Sequence, residues 1–378
     1  MRRLIYILSV LLSIATSGNA QLMSKLPIFK LHIYKGRTPQ EVIELCNKAI
    51  AADSTHAMSY FSRGVAKYEL KNYTEAIKDY DIAISLDKTF SSAYNNRGIA
   101  KLDIMHYQEA LQDFNMSIKC DSTNPSSYYY RGLAKFGSND FYGTVIDCKK
   151  AVGLNPQYAE ACATLGQAKF QLNDYLGAVE YYNKAVLLKP DLAWVYNESA
   201  RAKFKIRDYD GSIADYTKTI SFDPKSILAY SNRGIVKKTI NDLEGAVEDF
   251  TKAIEIDPKY PNNYFNRATA EFQLNKKLEA IIDYDKAIEL KPGYAVAYVN
   301  RGLAKYSMGS YIEAVTDFDK AIEINPYYAE AYSGRGAAKK GLQDRTGACS
   351  DWANAEILGD HTAKYMLDNY CLLDIETK

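Results

Sequence analysis

An arginine recurs at 34-residue intervals along most of this chain: Arg63, Arg97, Arg131, Arg233, Arg267, Arg301 and Arg335. Five near-copies of one phrase carry it, "YNNRGIAK" at 94–101, "YSNRGIVK" at 230–237, "YFNRATAE" at 264–271, "YVNRGLAK" at 298–305 and "YSGRGAAK" at 332–339. Guanidinium groups in register can do one of two things. They can line up for an anionic ligand such as a polysaccharide or nucleic acid, or each can pair with a carboxylate inside the fold. Each arginine is followed at a constant interval by an aspartate: Asp79, Asp113, Asp147, Asp249, Asp283, Asp317 and Asp351. An eighth, Asp215, stands opposite Ser199. Where Tyr181 replaces the aspartate, Leu165 replaces the arginine as well. Joint loss is the mark of an internal ion pair, so the motif reads as architecture. A catalytic motif has no reason to repeat at fixed spacing. The four histidines are scattered, and no phosphate loop, Ser-His-Asp or metal-ligand spacing is visible. The chain therefore reads as non-enzymatic, with no catalytic, cofactor or metal residues.

The elements that position these residues follow from the period. Nine ungapped copies of it run from 57 to 362. Position 4 of the unit is Tyr in eight, position 8 is Gly or Ala throughout, and positions 20 and 27 are Ala in seven each. Position 24 is aromatic in eight units and position 32 is Pro in six. Spacings of three and four within positions 4–12 and 17–28 predict two amphipathic helices per unit. Small residues at 8, 20 and 27 let the helices approach closely, and the aromatic at 24 fills the space above them. Polar residues near 15–16 make the turn, and Pro at 32 stops the second helix. Position 11 is Lys in eight units, its stem expected to lie along the surface.

This pattern resembles the tetratricopeptide repeat, a 34-residue helix–turn–helix with small residues at 8, 20 and 27 and Pro at 32. The resemblance covers 306 of 378 residues. It implies an all-α fold, a right-handed superhelical solenoid of stacked antiparallel helix hairpins. It also implies that first helices line a concave groove for an extended peptide or partner helix. Carried onto this sequence, groove-facing positions hold Phe61, Asn95, Tyr129, Trp194, Asn197, Arg201, Asn232, Phe265, Asn266 and Asn300. Trp194 is expected on the groove rim. Aromatics at position 12 (Tyr68, Phe136, Phe170, Phe204, Phe272, Tyr306) either face the groove or pack between hairpins. No unit has Lys at position 5 or a basic residue at 2 or 6, which disfavours recognition of a C-terminal carboxylate.

The ends differ from the repeats. Residues 1–20 combine Arg2 and Arg3, an apolar run from Leu4, and Gly18 and Ala20 before a cleavage after Ala20. This is the layout of a secretory signal peptide, so a periplasmic or secreted protein is expected. Residues 21–56 read as an N-terminal cap whose stretch 39–52 is half a repeat, with Val42, Cys46 and Ala49 at positions 20, 24 and 27. Residues 363–378 read as a capping helix and tail, with Tyr365, Met366, Tyr370 and Leu373 turned inward. Of six scattered cysteines, Cys148 and Cys162 are the first pair to test as a disulfide, although several occupy slots for buried apolar residues. Three sequons, at Asn72, Asn115 and Asn197, read as chance. The net charge of +1, or −1 after cleavage, offers no bulk attraction to nucleic acid, and the mature chain has no membrane-spanning run. The expected function is a protein-interaction scaffold with a protein or peptide partner. Two alternatives stand beside it: an assembly component acting or self-associating through its ends or convex face, and a carbohydrate-binding module.

Overall fold

A computed structural model describes residues 36–371. The expected signal peptide, most of the segment before the half repeat, and Leu373 lie outside the described residues. Within each repeat the first helix spans positions 1–13 and the second spans 17–30, as in Ala57–Glu69 and Tyr73–Leu86. Two shorter cases are Ala295–Tyr306 and Arg345–Ile357. Among the described residues there is no strand. The contacts divide the chain into two units at Ile206 and Arg207. The first holds the half repeat Pro39–Ala52, repeats one to four and the first helix of the fifth. The second holds the fifth repeat's second helix, repeats six to nine and the closing segment. In each unit antiparallel hairpins stack in sequence order, the second helix of one repeat on the first helix of the next.

Local chemistry accounts for the turns. Position 15 is left-handed in every repeat, with φ between 61° and 66° at eight non-glycine residues and 81° at Gly309. Asn139, Asn173, Asn241 and Asn275 suit that conformation because a short amide tolerates it. Five repeats then cap the second helix with Asp at position 16, which accepts from the amide of Gly143, Gly177, Gly211, Gly245 or Gly347 at position 19. Glycine leaves room for the capping carboxylate, since a Cβ there would press it out of its present rotamer. Position 8 is small for a similar reason. A Cβ on Gly64, Gly98 or Gly336 would meet the ring of Tyr80, Phe114 or Trp352 at 2.7 Å.

The recurrent arginine closes the interior. Arg63 donates through Nε and Nη2 to Asp79 at 2.9 and 2.6 Å, and Arg233 repeats this with Asp249 at the same distances. All seven partner aspartates are buried, Asp79, Asp113 and Asp249 being 2% exposed. Lys at position 11 does not lie along the surface as expected. It completes the same site, as Lys67 to Asp79 at 2.8 Å, Lys101 to Asp113 at 3.0 Å and Lys237 to Asp249 at 3.0 Å. A buried carboxylate with four acceptor sites attracts a second cation once the arginine fork has taken two of them. The remaining arginine nitrogen reaches back to position 25 of the preceding repeat, as Arg131 to Asn115 at 2.8 Å and Arg335 to Asp319 at 2.6 Å. Each guanidinium also lies over the position-4 tyrosine ring, 5.4 Å away at Tyr60 and 5.9 Å at Tyr264. In the fourth repeat Leu165 and Cys162 are buried instead, and Lys169 turns to Asp174 and the Tyr181 ring.

Three expectations about the ends and cysteines need correction. The disulfide is Cys349–Cys371, not Cys148–Cys162; the latter two are buried free thiols filling an aromatic and a tyrosine slot. It ties the closing segment to the last repeat, where Tyr370 meets Trp352 edge-on at 5.6 Å and its carbonyl accepts from Arg345 at 2.8 Å. Met366 and Tyr370 pack inward, but Tyr365 is exposed, because the segment passes from helix His361–Met366 into a π-turn over Leu367–Cys371. In the half repeat Val42 and Cys46 are buried against Ala66, whereas Ala49 is exposed, with no first helix among the described residues for it to meet.

The seventh repeat breaks the pattern with Glu271 at position 11. Its Oε2 is buried and has no hydrogen-bond partner. Burial, then the Asp283 charge, pushes its pKa up from 4.5 to about 7. Between those values the folded state holds a proton that the unfolded chain releases, so this group lowers stability as pH rises from about 4.5 to 7. Glu271→Lys therefore raises the unfolding free energy measured in urea at pH 8, by up to about 1 kcal/mol, and the gain shrinks towards pH 4. For the intact triads, Arg97→Ala and Lys101→Ala each leave Asp113 one cation. The double variant leaves it none and costs about 3–5 kcal/mol, more than the single losses combined, in the same unfolding measurement.

Candidate functional site

The seven arginines cannot serve as an anion ladder, because each is spent on an internal carboxylate and on the neighbouring repeat. Recognition has to use side chains that packing leaves over. Of the residues assigned to the groove, Phe61, Tyr129 and Asn95 are only 2%, 5% and 6% exposed and offer a ligand no surface. Phe61 packs on Phe90 at 4.9 Å, and Tyr129 packs on Tyr158 at 4.8 Å. Phe90 and Tyr158 are both position 34, the last residue of the repeat, which folds back over position 5. Phe265 is covered in the same way by Tyr294 at 5.1 Å and is half-buried. An aromatic at position 34 is a sequence signal that marks the position-5 aromatics Phe61, Tyr129 and Phe265 as structural. Position-12 aromatics likewise pack within their own hairpin, as Phe136 on Phe141 and Phe170 on Tyr175.

Two groups remain, one in each unit. In the first unit, helix Ala193–Lys205 presents Trp194, Asn197 and Arg201 at spacings of three and four, hence along one stripe. Trp194 is not fully on the rim: it is half-buried against the core, and its shielded indole N–H has no hydrogen-bond partner. Glu198 organises the stripe, accepting from Asn197 Nδ2 at 3.0 Å and from Arg201 Nη1 at 2.7 Å. Arg201 is exposed and lies over Phe170, 5.1 Å from the ring centre. The position 34 of this repeat, which would fold back over Asn197, is Ser226 rather than an aromatic.

In the second unit, Asn232, Asn266 and Asn300 occupy position 6 of three successive first helices and are half-buried. Lys238 donates to Asn266 Oδ1 at 3.3 Å, and burial holds its ammonium below the usual lysine range. Each carboxamide offers two donors and an acceptor, the set needed to read a peptide backbone. Asp103, at position 13 of the second repeat, escapes sequence reasoning. Burial holds its carboxyl above the usual range, and the Tyr68 hydroxyl donates to it. The link runs between positions 12 and 13 of adjacent repeats, which no spacing within one repeat reveals.

Among the described residues no cluster of three or more His, Cys, Asp or Glu is placed to hold a metal ion. No described helix is long and apolar enough to cross a membrane. The arrangement is a set of hydrogen-bonding and apolar contacts on helix faces, suited to binding.

Comparisons with known proteins agree with this architecture. The family profile described as tetratricopeptide repeat matches residues 57–90, 159–192, 227–260 and 261–294, and one described as TPR repeat matches 302–343. No curated protein matches. Among solved structures, the C-terminal part of a TPR repeat-containing protein from Cytophaga hutchinsonii is 17% identical, with a TM-score of 0.54 over 64% of this chain and 98% of that one. A tetratricopeptide repeat protein from Parabacteroides merdae is 19% identical, with a TM-score of 0.50 over 65% and 97%. The MamA protein is 30% identical, with a TM-score of 0.41 over 44% and 97%. The chain is built of tetratricopeptide repeats, a fold of protein interaction.

Proposed function

We propose that this protein is an exported, non-catalytic scaffold that holds an extended peptide or partner helix along its first-helix faces. The observation that carries the reading is the stripe of Trp194, Asn197 and Arg201, where a shielded but unpartnered indole N–H shares one helix face with an exposed guanidinium. Aromatic and arginine side chains of this kind dominate binding energy at protein interfaces. The ladder of Asn232, Asn266 and Asn300 extends the same chemistry in the second unit. Export is supported by the N-terminal signal pattern and by the Cys349–Cys371 disulfide, since such bonds persist in oxidising compartments.

The test is crosslinking of the full chain in its native cell fractions, with Trp194→Ala/Asn197→Ala/Arg201→Ala alongside. The partner captured by the native chain is expected to fall at least about 30-fold in the triple variant, the loss of one interface hot spot of about 2 kcal/mol. Equal capture by both chains removes the stripe from the binding site. Intact mass of the recovered protein is expected to begin at Gln21; a chain retaining Arg2 and Arg3 contradicts export.

A further inference from the structure

The outer face of the second helices carries an irregularity that packing does not require. Positions 18 and 22 lie four residues apart on one face. They are polar or small in most repeats, for example Gln108 and Gln112, or Glu244 and Glu248. In the third and fourth repeats they become Tyr142, Ile146 and Leu176; in the seventh and eighth they become Leu278, Ile282 and Ile312. These six side chains are between 62% and 75% exposed. The two sets use the same three positions (18 and 22 of one repeat, 18 of the next) four repeats apart, one set in each unit. Scattered apolar residues on a surface are ordinary, but a duplicated cluster in register is not.

The surroundings of the two clusters differ in charge. Around the first, positions 19 and 29 are Gly143, Gly153, Gly177 and Leu187; around the second they are Glu279, Glu289, Glu313 and Glu323. At position 25 the first cluster has Lys149 and Asn183, where the second has Asp285 and Asp319. Lys at position 26 is common to both, and Glu180 beside Leu176 offsets only part of the first cluster's positive charge. Around the second, Asp285 and Asp319 already meet Arg301 and Arg335, Glu289 meets Lys286 at 2.8 Å, Glu323 meets Lys320 at 2.6 Å, and Glu313 lies 4.0 Å from Lys305. Exposed pairs of the Glu289 kind contribute little and leave the excess of negative charge in place. One cluster is thus apolar with a basic surround, and the other apolar with an acidic surround.

We propose that the first cluster of one molecule docks on the second cluster of another copy of this chain. A second copy is the occupant the charges select, since each cluster repels its own kind and complements the other. The contact is therefore between unlike surfaces.

Sedimentation of the full chain tests this at about 100 µM, a concentration at which a micromolar contact is populated. Association is expected, and it weakens as salt is raised because the surrounding charges are screened. Ile146→Asp/Leu176→Asp and Leu278→Asp/Ile282→Asp each bring the average mass down to that of the monomer. Both sites are exposed, and unchanged circular dichroism reports an intact fold. Mixing the two variants restores association, because each supplies the cluster the other lacks. A native chain that stays monomeric overturns the proposal, as do variants that associate like the native chain or a mixture that does not recover. The Trp194→Ala/Asn197→Ala/Arg201→Ala chain associates normally, which separates this contact from the first-helix reading.

Discussion

A carboxylate withdrawn from water between two helices is tolerable only if its charge is matched, and the rest of the structure is arranged around that match. Position 23 places an aspartate, 2% exposed at Asp79, Asp113 and Asp249, opposite an arginine and, one turn on, a lysine. The fork and the ammonium reach it only because Gly at 8 and Ala at 20 and 27 bring the helices close. The tyrosine at position 4 lies against the guanidinium, which accounts for seven of the chain's 32 tyrosines. The same guanidinium reaches the preceding repeat, as Arg233 does to Thr217 at 2.9 Å. One side chain therefore fixes both the hairpin and the stack. The fourth repeat shows the alternative: Leu165 and Tyr181 replace the pair with apolar packing, a substitution that buried ion pairs often permit.

Most of this is legible in the sequence because the determinants lie within one repeat and return at a fixed interval. The helices and their small-residue contacts follow from spacings of three and four, and the Arg–Asp pairing follows from the constant offset between positions 7 and 23. What escapes depends on contacts between distant positions or on chemistry that one residue type leaves ambiguous. A lysine such as Lys67 can lie on a surface or join an ion cluster, and only the geometry of Asp79 decides. Position 5 taken alone makes Phe61 and Tyr129 look available. The aromatic at position 34 that covers them enters only when the end of a repeat is matched with its start. Cys349–Cys371 depends on where a non-repeating segment folds back, about which the period says nothing.

Because the interior must satisfy the same carboxylate in almost every repeat, it has little freedom to carry individual function. Individuality is pushed to positions outside that closure. On the first helices these are the position-2, 5 and 9 side chains of the fifth repeat, where Ser226 rather than an aromatic stands at position 34. On the second helices they are positions 18, 19, 22 and 29, where hydrophobic and charged residues alternate between repeats with no effect on the core. Tyr142 and Leu278 contribute nothing to hairpin closure, since the ring that fills each hairpin is at position 24, and where that ring is absent Cys148 takes its place. Exposed apolar groups that contribute nothing internally still carry the free-energy cost of contact with water. A structure whose interior is this uniform therefore concentrates its differences where another molecule can meet them, and the two faces of each hairpin are free to meet different ones.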